Sequence, residues 1–87
     1  MKIAVWDTYV PRSDGRLMHF DILVPSTLKD FRTIFSFGNE YLEGKTFETG
    51  NLSSNECKFC HIQKAPPLVV TAIKDKGYHI IEMENCH

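Results

Sequence analysis

Lys2-Ile3-Ala4-Val5-Trp6-Asp7-Thr8-Tyr9-Val10, Pro11-Arg12-Ser13-Asp14-Gly15 and Arg16-Leu17-Met18-His19-Phe20-Asp21-Ile22-Leu23-Val24 form the stretch that decides the fold. Its two flanks are rich in β-branched and aromatic residues, and Asp14-Gly15 between them marks a tight antiparallel connection. The pattern predicts a β-hairpin over residues 2–10 and 16–24. Strand side chains alternate, so any turn of even register sets Ala4, Trp6, Met18, Phe20, Ile22 and Val24 on one apolar face. The other face carries Ile3, Val5, Asp7, Tyr9, Leu17, His19, Asp21 and Leu23.

Asp7, His19 and Asp21 interrupt that second face and are the candidate binding residues. A five-residue loop sets Asp7 opposite His19. A three-residue loop sets Tyr9 opposite His19 and Asp7 opposite Asp21, where like charges repel. A carboxylate–histidine pair can move protons or help hold a metal. The plainer alternative is a half-solvated face whose polar residues discourage edge-to-edge aggregation.

Working outward, Pro25 stops the second strand, and Ser26 or Thr27 is placed to cap a helix running to about Leu42. Leu28, Phe31, Ile34, Phe35, Tyr41 and Leu42 fall on one helical stripe. Gly38 breaks that stripe, which implies a bend or a close backbone contact. Gly44 is placed to end the helix. Pro66-Pro67 suits the start of a second helix with Leu68, Val69, Ala72 and Ile73 as its apolar stripe, and Gly77 suits its left-handed end. Tyr78 to Glu84 reads as a last strand. The expected architecture is α+β, in the order β-β-α-β-α-β, with the cysteine-bearing segment in third-strand position. It is a two-layer sandwich, a mostly antiparallel sheet with both helices packed on one face.

The 87 residues suit a single compact domain, 1–87, with one modest core. Hydrophobic residues at 43% and aromatics at 11% mark a globular composition. A formal charge of −1 gives no general pull toward nucleic acid or an anionic membrane, so neither is expected as a partner. Asp7 arrives too early for the apolar stretch of a signal peptide, and no apolar run has transmembrane length. An odd count of 3 cysteines is not a fully paired disulfide framework. These features predict a reduced, cytoplasmic protein. No cofactor is assigned, and a second copy of the chain stays open as a partner.

Cys57-Lys58-Phe59-Cys60-His61 is the other motif-bearing stretch. C-x-x-C-H is the attachment sequence of covalent haem, but that chemistry belongs to an exported protein. Cys57, Cys60, His61 and Cys86 are also the four candidate ligands of a zinc site, although only one C-x-x-C knuckle is present. A dithiol needs the motif to open a stable helix, and here the next helix waits until Pro66. The remaining alternative is that the cysteines fill a core or turn as small apolar residues. Ser53-Ser54-Asn55-Glu56 has capping-box spacing, which favours a helical turn entering the motif with both thiols on one side. His79 alternates with Ile81 and Met83 and is expected to face a packed layer. Cys86 and His87 are expected to fray.

Val5-Trp6-Asp7-Thr8-Tyr9-Val10, Asp14-Gly15-Arg16, Met18 to Val24, Phe47-Glu48-Thr49-Gly50, Glu56 to Ile62 and Gly77 to Glu84 together resemble a small bacterial family. That family is known as a domain of unknown function, number two thousand and twenty-four in its series. The resemblance covers almost the whole chain and implies a compact single-domain α/β protein. It brings no activity, ligand or catalytic residue. The reading from the residues is therefore a domain that binds a ligand or partner through Asp7/His19/Asp21 or the Cys57–His61 turn. Its alternatives are a metal or thiol-redox protein using Cys57, Cys60 and His61, and a small enzyme built on Asp7, His19 and Asp21.

Overall fold

A computed structural model describes residues 1–87. The elements are β1 (Lys2–Pro11), β2 (Leu17–Pro25), α1 (Phe31–Glu43), β3 (Cys57–Lys64), α2 (Pro67–Lys76) and β4 (His79–Glu84), the α+β order read from the sequence. The strands form one sheet in the order β3-β1-β2-β4, and every neighbouring pair is antiparallel.

The β1–β2 turn takes the three-residue form. Arg12 N donates to Arg16 O at 2.8 Å and Gly15 N to Arg12 O at 3.1 Å, leaving Ser13-Asp14-Gly15 as the loop. Gly15 has φ of +90°, a left-handed conformation that glycine adopts without a Cβ penalty. The resulting register pairs Ala4 with Val24, Trp6 with Ile22 and Val10 with Met18. The expected apolar face is thus buried, and Phe20, Ile22 and Val24 in it are fully enclosed.

Helix α1 begins at Phe31 rather than at Ser26 or Thr27. Asp30 is its cap: the carboxylate accepts from Arg32 N at 3.0 Å and from Thr33 Oγ1 at 3.1 Å. A turn from Pro25, closed by Leu28 N on Pro25 O at 3.0 Å, occupies the residues expected to be the first helical turn. Gly38 is the close contact that its place in the stripe implied. A Cβ there would collide with Leu52 Cδ1 and meet Ile22 Cδ1 at 2.9 Å. Gly44 ends α1, while Pro66 and Gly77 bound α2, with Gly77 at φ +91°.

The two helices lie on opposite faces of the sheet, which corrects the expectation that they share one. Ile34 and Leu42 of α1 pack with Trp6, Phe20 and Ile22, whereas Val69 and Ile73 of α2 pack with Ile3, Val5 and Leu23. The cause is local to the strands. Ile3-Ala4-Val5-Trp6 and Ile22-Leu23-Val24 are apolar on both faces, as strands covered on both sides are. The C-terminal residues do not fray either. Cys86 is buried in the larger core, and Arg12 Nη1 donates to Asn85 O at 3.0 Å and to His87 O at 2.8 Å. Arg12 also pairs with Asp14 at 2.8 Å and lies 3.6 Å from the centre of the Phe47 ring.

Candidate functional site

Asp7, His19 and Asp21 come together on the α2 side of the sheet, beyond the apolar patch on which α2 packs. The three-residue turn sets Asp7 directly across from Asp21 and Tyr9 across from His19. The Tyr9 ring stacks on the imidazole at 4.1 Å between centroids and 12° between planes, which fixes the plane of His19. His19 Nε2 then lies 3.8 Å from Asp7 Oδ1 and 3.7 Å from Asp21 Oδ1. Both separations exceed a hydrogen bond. His19 Nε2 and Asp21 Oδ1 are buried and have no hydrogen-bond partner.

Like charges face each other across the strands, and protonation relieves the repulsion. Burial and the neighbouring Asp7 push Asp21 up to about 6. Asp7 is held below the usual carboxylate range, chiefly by the facing Asp21 carboxyl. One carboxyl therefore keeps a proton into mildly acidic solution while the other stays ionised, the behaviour of a carboxyl pair that shares a site. A hollow of about 290 Å³ adjoins, lined by Asp7, Tyr9, Asn55, Glu56 and Lys58.

The cysteine motif is strand, not turn. The capping-box contacts form, with Glu56 Oε1 accepting from Ser53 N at 3.0 Å and from Ser53 Oγ at 2.8 Å, but the turn ends where β3 begins at Cys57. Pairing with β1 keeps the segment extended. Cys57 lies across from Thr8 and is buried in the α1-side core. Between Phe59, opposite Trp6, and His61, opposite Val5, the register slips by one residue, so Cys60 is the extra residue of a β-bulge. The bulge sends Cys60 and His61, two consecutive residues, to the α2 side with Asp7.

This separates the four proposed ligands. Cys57 and Cys86 are buried on the α1 side, with Cys86 Sγ donating to His19 O at 3.3 Å, while Cys60 and His61 lie on the other face. Cys57 and Cys60 thus cannot share a metal or add to one haem. Asp7, His19 and Asp21 instead form the group that could hold a metal ion, their ligand atoms all within 4.8 Å of one another. Beside it, Cys60 Sγ lies 3.1 Å from His61 Nδ1, and His61 Nε2 lies 2.6 Å from Gln63 Oε1. Loss of hydration and the Asp7 carboxylate push the Cys60 thiol up. The nearness of Cys60 and His61 to Asp7, and the Tyr9 stack, were missed from sequence. One signal existed: Cys57, Phe59 and Ile62 are apolar at steps of two and then three, the spacing that an inserted bulge residue produces.

The chain is similar to known proteins along its whole length. The profile of a family described as "Domain of unknown function (DUF2024)" matches residues 1–83. A Nitrosomonas europaea protein, solved by NMR in a structural genomics programme, has 41% sequence identity, a TM-score of 0.77 and 100% coverage of both chains. No curated protein matches. The chain belongs to the DUF2024 family.

Proposed function

We propose that this DUF2024 member is a ligand-binding protein whose ligand is a divalent cation, held by Asp7, His19 and Asp21. The observation that carries the reading is the pair of buried, unpartnered atoms, His19 Nε2 and Asp21 Oδ1, at 3.7 Å with Asp7 beside them. Buried polar atoms without partners are costly, and a shared cation satisfies both at once. Donors that share an ion at about 2.0–2.2 Å sit roughly 3–3.6 Å apart, so His19 Nε2, at 3.8 and 3.7 Å from the two carboxylate oxygens, needs to close on each by only a few tenths of an ångström. The three free cysteines suit a reducing compartment, which supports the cytoplasm as the place of action.

Calorimetric titration of chelator-treated, tag-free protein with Zn²⁺ and Mn²⁺ tests the proposal. One cation per chain is expected. Asp21→Asn and His19→Gln should each weaken binding by about tenfold or more, with unchanged far-ultraviolet circular dichroism. Binding should also weaken as pH falls through about 6, because the Asp21 proton must leave before the cation enters. Absence of heat at millimolar cation, or equal binding by the variants, would sink the reading.

A further inference from the structure

We infer that Cys60 supplies a thiolate to this same site, so that the cation it takes is of the borderline-soft zinc class rather than magnesium or calcium. The inference rests on the cation-binding reading of Asp7, His19 and Asp21 and adds a ligand to it.

Three observations carry it. First, a regular strand would turn His61 back toward the α1 side; the bulge instead holds Cys60 and His61 together on the face of Asp7. Bulges recur where a side chain is re-aimed at a site. Second, Cys60 is the one thiol of the chain that is exposed, and the other two are buried on the far side of the sheet. The bulge sets Cys60 on the face that carries Asp7, diagonally across β1 and β3. Third, the thiol has an orienting partner. Gln63 Oε1 accepts from His61 Nε2, which leaves His61 Nδ1 as an acceptor 3.1 Å from Cys60 Sγ. With a dication bound, Cys60 would hold it as the thiolate, its proton released on binding. No electron is transferred.

The added sulfur decides the metal. Two carboxylates and one imidazole accept magnesium, manganese or zinc, but a thiolate strongly favours zinc and its neighbours and is a poor ligand for hard cations. Four donors also match the tetrahedral preference of zinc.

Cobalt(II) tests this, because thiolate ligation gives a near-ultraviolet charge-transfer band that oxygen and nitrogen ligands do not. The expected result is a band on titrating the wild-type chain with cobalt, its loss in Cys60→Ser, and cobalt binding retained there roughly tenfold or more weaker. Cys57→Ser and Cys86→Ser should keep the band. Because those two sites are buried and the variants can unfold, a second measurement uses the wild type alone. Iodoacetamide should label Cys60 first, and stoichiometric zinc, but not magnesium, should protect it. Cobalt bound without a charge-transfer band, or a Cys60 labelled equally fast with and without zinc, overturns the inference and leaves the three-ligand site standing. No cobalt binding at all removes both.

Discussion

Asp21 is the residue at which folding and the site conflict. Its carboxyl is pushed up to about 6 by burial and by Asp7, against 3.8 in the unfolded chain. A raised carboxyl means that the folded state holds the proton more tightly, so Asp21 opposes folding at neutral pH, and that penalty fades as pH drops from about 7 toward 4. Asp7, held low, loses its own stabilising share only below the usual carboxylate range, outside this window. His79 is lowered by burial and by Lys76 and acts in the opposite sense near neutrality, but equally in a variant at Asp21. In chelator, Asp21→Asn should therefore be more stable than wild type at pH 7.5 by about 1–2 kcal/mol, water at the open side taking up part of the full effect. Urea denaturation from pH 8 to 4.5 should find that advantage shrinking through pH 6. An advantage that grows toward acid would mean that Asp21 is not the proton-holding member. The three residues and their common face were legible in the sequence because strand alternation alone fixes them. Which of them stand opposite one another was not, because both loop lengths preserve the same parity.

At the scale of elements, local signals worked where the backbone itself demands a residue type. Gly15 and Gly77 sit at positive φ, Pro66-Pro67 opens α2, and Asp14-Gly15 forms the turn. They failed where tertiary pairing outweighs a local cap: the Ser53–Glu56 box closes its contacts, yet alignment with β1 extends the next eight residues. Mild oxidation should accordingly form no Cys57–Cys60 disulfide, and mass spectrometry of the Cys86→Ser chain should recover both thiols alkylated after denaturation. Gly38 offers a sharper element-scale measurement. Alanine improves helix propensity by up to about 1 kcal/mol, but its Cβ would collide with Leu52 Cδ1 and meet Ile22 Cδ1 at 2.9 Å. Overpacking should win, so Gly38→Ala should lower stability by roughly 1–2 kcal/mol in chemical denaturation. A stabilised variant would show that Leu52 moves aside freely.

For the whole molecule, the element order and sheet were readable, and the side on which α2 lies was not. The reading followed the polar residues of the second face and passed over Ile3, Val5 and Leu23 at its other end, which α2 covers. A double-mutant cycle measures the outcome. Leu23→Ala with Ile73→Ala should deviate from additivity by about 0.5 kcal/mol or more, because the two share a cluster, whereas Phe20→Ala with Ile73→Ala should add to within roughly that amount. Phe20→Ala alone should cost about 3–5 kcal/mol. The Arg12 clamp on the C-terminal residues carries a further consequence, for biosynthesis. Arg12 is separated from its two carbonyl partners by 73 and 75 residues. At about 5–20 residues per second, the ribosome completes the hairpin at Pro25 roughly 3–12 s before it makes Asn85 and His87, which lock it. Over that interval β2 lacks its β4 neighbour, and its edge is an open template for any passing strand. The nascent chain, more than the finished protein, is where aggregation has to be held off.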